Sequence, residues 1–336
     1  MKRDQALKIC KVSKHQYYYF ETGGVQGKKP SEYTPKLLES GEWTMVKEEQ
    51  IVQEITDEKK DPDTDYGYRK MCVALMLMGY YINHKKVYRI MAKHHLLHDR
   101  HKRPSRIYAR YRKVYPKGPL EVLEMDIKYQ WVEAAGRHSF ILTILDTFTR
   151  VALHWDVGYT MQESQIKKAW EYVIVNHLQK NDTLSKGIQV EIRNDNGPQF
   201  ASIMIQQFFK DNYLNQVFTH PYTPQENGHV ESFHAILSES LGRQRFFALN
   251  DLEKHLSGFY HTYNNKRLHA SIATLCPMTF RKLWNQNMIE AIEKKNKTIT
   301  FKLKVPYYTL SGNGNPRVAS CTFIPDPQGQ SILIKI

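Results

Sequence analysis

Apolar and polar positions alternate through Ile188, Val190 and Ile192, so the stretch IQVEIR predicts a strand that delivers Asp195 at its C-terminal end. Gly197 and Pro198 then force a turn before the apolar Phe200. Further along, Val230, Phe233 and Leu237 recur at helical spacing behind Glu226-Asn227-Gly228, and the helix they predict carries Glu231. Upstream, Leu123, Met125, Ile127 and Tyr129 share one face of a strand while Val122 and Asp126 share the other. Across the centre of the chain the pattern predicts strands at 120–129, 139–145 and 151–156, a helix at 162–178, a strand at 188–193, a helix at 202–210, a short strand at 216–219 and a helix at 227–245. Three strands before the first long helix suit a mixed sheet better than a purely parallel one. Asp146 ends the second strand, and with Thr147, Thr149 and Arg150 it reads as the shaper of a hairpin turn, although the pattern alone also admits it as a ligand.

The flanks read differently. Residues 1–60 predict helical pieces around a loop near Gly23, Gly24 and Gly27, with Ser13 set to cap a short second helix. Residues 66–98 predict a helix-turn-helix. Met71, Leu75 and Met78 form one apolar face, Gly79 breaks it, and Asn83 caps a second helix with Val87, Ile90 and Met91 inward and Lys85, Lys86, Arg89 and Lys93 outward. Such a cationic face is either solvated or docked on DNA. Between Arg100 and Lys117 lie eight lysines or arginines and no acid, with Tyr108, Tyr111 and Tyr115 interleaved and Pro104 and Pro116 preventing one continuous helix. If four of those charges met phosphates, log affinity would fall with log salt at a slope of roughly −3.6 from this segment alone. Past the centre, residues 286–296 read as polar and helical, and Ile299, Phe301, Leu303 and Val305 alternate as a strand opening a small β appendix.

Composition narrows the class. A net charge of +14 over 336 residues fits a polyanionic partner. Four cysteines at 10, 72, 276 and 321 form no close pair, which argues against a disulfide framework or a cysteine-rich zinc site and fits reduced thiols in a cytoplasm. His94, His95, His98 and His101 lack a companion cysteine pair and read as a helix end entering a linker. Met1-Lys2-Arg3 opens a charged segment without the apolar stretch of a secretory signal, and the apolar run from Met71 to Ile82 is too short to span a bilayer.

Asp126, Asp195 and Glu231 are the candidate chemistry. A carboxylate at a strand end and a second on a later helix build a site in the crevice of an open α/β sheet, and Asp126 adds a third held near the sheet surface. At ~4 Å and an effective dielectric near ~20, each carboxylate pair repels by about 4 kcal/mol, and a cation with all-oxygen ligands, magnesium or manganese, relieves this. The chain has no H-x-H pair for a histidine-metal nickase, no H-x-x-R of the kind tyrosine recombinases carry, and no G-x-x-x-x-G-K-[ST] loop for ATP.

These segments resemble the orfB-type insertion-sequence transposases, whose ribonuclease H-like core is shared with retroviral integrases. YGYRKM, INHKKVYRIM, MDIKY at Asp126, ILDTFTRVALHW, the Asp195 and Glu231 segments, and YNNKRLHASIATLCPMTF carry the resemblance across most of the chain. Thirty-five residues separate Asp195 from Glu231, a specific feature of the match. The resemblance implies an α/β protein: a ribonuclease H-like mixed-sheet core with an N-terminal helical helix-turn-helix region and a small C-terminal β appendix. It implies an Asp126, Asp195 and Glu231 triad holding two Mg2+ or Mn2+ ions, and a transposase that cleaves and joins double-stranded DNA at element ends and targets. It further implies an orfA-type protein partner, a homo-oligomer on DNA, no membrane, and a cytoplasmic, nucleoid-associated location. Arg106, Arg110, Arg112, Arg267 and His269 join the helix-turn-helix cations as candidate DNA contacts, the last two equally open to a packing role. The corresponding domains are 1–60, a helical segment; 61–99, the helix-turn-helix; 100–118, a basic linker; 119–285, the core; and 286–336, a helix and β appendix. Ser238 departs from the pattern, standing seven residues after the glutamate where relatives carry lysine or arginine; Arg243 or Arg245 are the candidates to compensate. A non-catalytic DNA-binding protein derived from a transposase and a nuclease for RNA–DNA hybrids stay open beside the transposase reading.

Overall fold

The computed structural model of the chain describes residues 3–13, 17–18, 31–99, 116–219, 227–294, 298–312, 314–317, 323–325 and 331–333. Residues 1–32 and 33–336 form separate compact units. The first contains helix α1 (Arg3–Ile9).

The larger unit begins with a hairpin, β1 (Tyr33–Leu37) against β2 (Trp43–Lys47), where helical pieces were expected. Thr34, Trp43, Thr44 and Val46 favour a pleated backbone, and Gly41, at φ +88°, supplies the left-handed turn. Helices α2 (Glu48–Lys60), α3 (Tyr68–Leu77) and α4 (His84–Lys93) follow. Gly79 breaks α3 from α4 at φ +98°, and a Cβ there would lie 2.3 Å from the Leu37 carbonyl oxygen. Only glycine allows β1 to cross this turn, where Leu37 N–H donates to the Gly79 carbonyl at 2.9 Å. As expected, Asn83 caps α4 by accepting from Lys86 N–H at 2.9 Å, and Val87, Ile90 and Met91 are buried.

The central sheet contains β3 (Val122–Val132), β4 (Arg137–Asp146), β5 (Ala152–Gly158), β6 (Val190–Asn194) and β7 (Leu214–Phe218), in the order β5-β4-β3-β6-β7. The first three strands pair antiparallel, whereas β3–β6 and β6–β7 pair parallel. That is the mixed sheet of a ribonuclease H-like α/β core. Helices α5 (Glu163–Val173, continued by a wider turn at Ile174–Leu178) and α6 (Ile203–Asp211) contribute to the apolar core on one face. Helices α7 (Gly228–Leu241) and α8 (Leu249–Asn265) contribute to that on the other. Strict alternation along β3 sorts its side chains: Leu123, Met125 and Ile127 join Trp170 and Ile166, while Val132 joins Val230, Phe233 and Leu237.

Helix α9 (Pro277–Asn285) leads into β8 (Ile289–Glu293) paired with β9 (Ile299–Leu303), and β10 (Phe323–Pro325) pairs with β11 (Ser331–Leu333). The β appendix is present, but 289–293 is a strand where polar residues suggested a helix; buried Ile289, opposite Leu303, anchors it. Phe148, in the turn after β4, packs on Trp284 and Phe301 with ring centroids 4.8 and 5.1 Å apart, joining the core to α9 and β9. Among the described residues no helix is long and apolar enough to cross a membrane.

Candidate active site

Asp195 follows the last residue of β6 in a turn fixed by side chains on both sides. Its Oδ1 accepts from Gly197 N–H at 3.0 Å, Asn194 Nδ2 donates to its carbonyl at 2.7 Å, and Asn196 Nδ2 donates to the Thr219 carbonyl at 3.2 Å. Gln216 on β7 holds the Asn194 amide at 3.0 Å. A Cβ on Gly197 would meet Asp195 Oδ1 at 3.0 Å and the Gln199 amide at 2.9 Å, so the residue after Asn196 must be small for the carboxylate to keep this seat. Asn196 and Gly197 thus have the turn-shaping part expected of them.

Asp126 lies midway along β3, opposite Thr143, on the face toward α7. Its Oδ2 is 3.3 Å from His234 Nδ1, one helical turn beyond Glu231. Glu231 itself lies in the first turn of α7. Partial burial raises the pKa of both Asp195 and Glu231, and the negative charge of Asp126 raises each further. Asp126 is thus within electrostatic reach of both Asp195 and Glu231. Among the described residues, however, no group of three or more His, Cys, Asp or Glu side chains is gathered closely enough to hold a metal ion. The donor set is nonetheless the right one for magnesium or manganese. Hard carboxylate oxygens that repel one another are what such a cation neutralises.

Two neighbours of this site escaped the sequence reading. His234 was visible only as a helix residue three positions after Glu231. Glu124 sits two residues before Asp126 on the same strand face and is fully buried. Its Oε2 accepts from Val230 N–H at 2.6 Å, while Oε1 has no hydrogen-bond partner among the described residues. Burial pushes its pKa up to about 7 against the pull of the Val230 and His229 N–H groups and of Arg150 and Arg193. The signal was its even spacing with Asp126, which puts both acids on one face of β3.

Asp146 is fully buried as the organiser of its turn, accepting from Leu120 N–H at 3.3 Å, Phe148 N–H at 3.1 Å and Thr149 Oγ1 at 2.5 Å. Its oxygens are engaged by two backbone N–H groups and one hydroxyl.

The predicted DNA contacts divide. Lys85 is exposed, as expected. Lys86 Nζ instead donates to the Tyr33 carbonyl at 2.6 Å, and Arg89 and Lys93 pair with Glu48 of α2 at 2.8 and 3.0 Å. Helical spacing put these three outward correctly, but the preceding hairpin and helix supply acceptors that a single-helix pattern cannot reveal. Arg267 donates to the Asp63 carbonyl at 2.6 Å. His269 packs on Tyr263 with ring centroids 4.8 Å apart, and burial with neighbouring Lys70, Arg267 and Arg150 lowers its pKa to about 3. Both side chains thus have partners within the protein. Ser238 Oγ donates to the His234 carbonyl at 2.6 Å, and Arg243, one candidate to replace its missing cation, pairs with Asp63 at 2.7 Å. Arg245 is exposed. Arg106, Arg110 and Arg112 lie outside the described residues.

Comparison with known proteins gives two matches to an integrase core domain, over residues 116–224 and 212–277, and one to an HTH-like domain over 46–104. An uncharacterized 31.7 kDa protein of insertion element IS407 from Burkholderia multivorans is 25% identical over 217 residues, 64% of this chain and 75% of its own length. The putative transposase InsK of insertion sequence IS150 from Escherichia coli K12 is 24% identical over 230 residues, 64% of this chain and 77% of its own. The Mos1 transposase catalytic domain, solved with raltegravir and magnesium, is 14% identical with a TM-score of 0.36, covering 42% of this chain and 71% of that one.

Proposed function

We propose, starting from an integrase core joined to an HTH-like domain in a chain similar to insertion-sequence transposases, that this protein cleaves and rejoins DNA at the ends of its element. What supports the reading is the placement of Asp126 on β3, 3.3 Å from His234 one turn after Glu231 on α7, together with the effect of its charge on both Glu231 and Asp195. Two Mg2+ or Mn2+ ions held by these residues would ease deprotonation of the attacking oxygen and stabilise the leaving one. Asp195 is kept in place by the Asn194–Gln216 and Gly197 hydrogen bonds, and Asp126 by the sheet. Their rigidity fixes the line along which a phosphodiester is attacked. Water adds at phosphorus, the 3′ oxygen leaves and takes a proton, and a free 3′-hydroxyl and a 5′-phosphate result. That hydroxyl then attacks a second phosphodiester, so one bond forms as one breaks and no covalent bond to the protein is needed.

The net charge of +14 supports a DNA partner, and exposed Lys85 offers a cation on α4. An orfA-type protein and a second copy of this chain complete the assembly in this proposal, because two element ends must meet. The protein would act in the cytoplasm, at the nucleoid.

The test is magnesium-dependent cleavage and joining of duplexes carrying the DNA that flanks the gene, with and without the orfA-type partner. Asp195→Asn should lower cleavage by at least about 10³-fold, several kcal/mol of metal-assisted stabilisation, while DNA affinity stays within about twofold. Undiminished cleavage by that variant would sink the reading. Binding without cleavage by the wild type would leave the non-catalytic alternative, which Ser238 also favours.

A further inference from the structure

Helix α7 has an unusual beginning. Its N-cap residue, Asn227, makes no side-chain capping hydrogen bond, although the first turns of helices leave backbone N–H groups that need acceptors. The acceptor comes from elsewhere in the chain. Glu124, on β3, reaches Val230 N–H with Oε2 at 2.6 Å, across 106 residues of sequence. The side chain is fully buried at the first turn of the helix, where its accepting oxygen also meets the positive end of the helix dipole. Cross-strand neighbours enclose it: Leu145 on β4 and Arg193 on β6 stand opposite Glu124 in the sheet.

The position matters more than the bond. Glu124 lies two residues before Asp126 on the same strand face, and Val230 immediately precedes Glu231. One buried carboxylate therefore ties together the two elements that carry the first and third acidic residues of the site. A hydrogen bond of this length has little play. Among the described residues, the other links here are the Asp126–His234 contact one turn further along α7 and the apolar packing of Val230 and Phe233, which fixes depth better than rotation about the helix axis.

We propose that Glu124 is a positioning residue of the acidic site: from β3 it caps α7 and thereby sets Glu231 against Asp126. It touches neither DNA nor the reacting atoms. This rests on the reading of Asp126, Asp195 and Glu231 as the metal-holding triad.

Glu124→Gln keeps an oxygen that can accept from Val230 N–H, whereas Glu124→Met keeps the volume and removes every acceptor. The full-length variants are compared with wild type and Asp195→Asn in four measurements: amide hydrogen exchange over residues 228–232, manganese affinity by electron paramagnetic resonance, cleavage rate on the flanking-DNA duplex, and duplex affinity. For Glu124→Met, faster exchange at 229–230 and a loss of about 10–100-fold in manganese affinity and cleavage rate are expected, the range for outer-shell supports of metal ligands, with duplex affinity unchanged. Glu124→Gln should restore exchange protection, manganese affinity and rate to within about threefold of wild type. Wild-type manganese affinity and rate in Glu124→Met would overturn the proposal, as would equal losses in Met and Gln variants. Parallel losses of duplex affinity and of protection throughout the core would also overturn it, by showing a general structural role. If Asp195→Asn alone leaves manganese binding and cleavage intact, the triad reading fails instead, and exchange at 229–230 still reports the cap.

Discussion

Beneath α5 and α6 the sheet packs Leu123, Met125, Ile127, Leu142, Ile144, Val190 and Ile192 into an apolar layer, where even the Trp170 indole finds only the Met125 sulfur, at 3.0 Å. Beneath α7 and α8 the same strands present Glu124, Asp126 and Thr143 among Ile141, Leu145 and Val132. There, Tyr260 meets Thr143 at 2.6 Å, and Asn264 imitates a strand edge by accepting from Ala152 N–H at 3.0 Å and donating to its carbonyl at 2.9 Å, beside the irregularity in β4–β5 pairing. The apolar face needs only volume and alternation. The polar face needs each donor to meet its acceptor, and the candidate chemistry sits where those demands concentrate.

Removing matched groups from the two faces should separate their roles. Leu142→Ala deletes buried volume from the apolar layer and should cost about 2–5 kcal/mol in denaturant unfolding. Manganese affinity of the folded fraction should stay at the wild-type value; a loss there would mean that the two faces are not independent. Tyr260→Phe removes one oxygen from the polar face and leaves Thr143 Oγ1 buried without its partner, for about 1–3 kcal/mol. A cost near zero would show that this hydroxyl pair contributes little beyond packing.

The polar face should also carry pH dependence. His269 has a folded-state pKa lowered to about 3 from an ordinary 6.5. The unfolded chain therefore takes up the proton first as pH falls, so its contribution is intact above pH 6.5 and is lost between 6.5 and about 3. The slope from one such proton is at most about 1.4 kcal/mol per pH unit. His269→Asn should flatten the acid limb of the stability curve by up to that amount, and an unchanged limb would remove His269 from this account.

This contrast also explains what the sequence revealed. The alternation of Ile188, Val190 and Ile192 and the helical spacing of Val230, Phe233 and Leu237 are apolar-face and core signals, and they located Asp195 and Glu231 within their elements. The expected strand order of three strands before a helix followed from the same alternation. Glu124 stayed hidden because its partner is a backbone N–H on a distant helix, and backbone groups leave no mark in a sequence. Arg89 and Lys93 were read as outward, which they are, but Glu48 lies on a different helix and its pairing with them is a tertiary fact. The hairpin at 33–47 was missed because five-residue strands offer too few alternations to outweigh neighbouring helical patterns.

The most direct test of the central claim is a count of bound manganese by electron paramagnetic resonance on wild type and Asp126→Asn, with flanking duplex present. The account predicts two ions per chain in the wild type and fewer in the variant, since Asp126 is the carboxylate whose charge reaches both others. No bound manganese in the wild type, or the same count in both proteins, would contradict it.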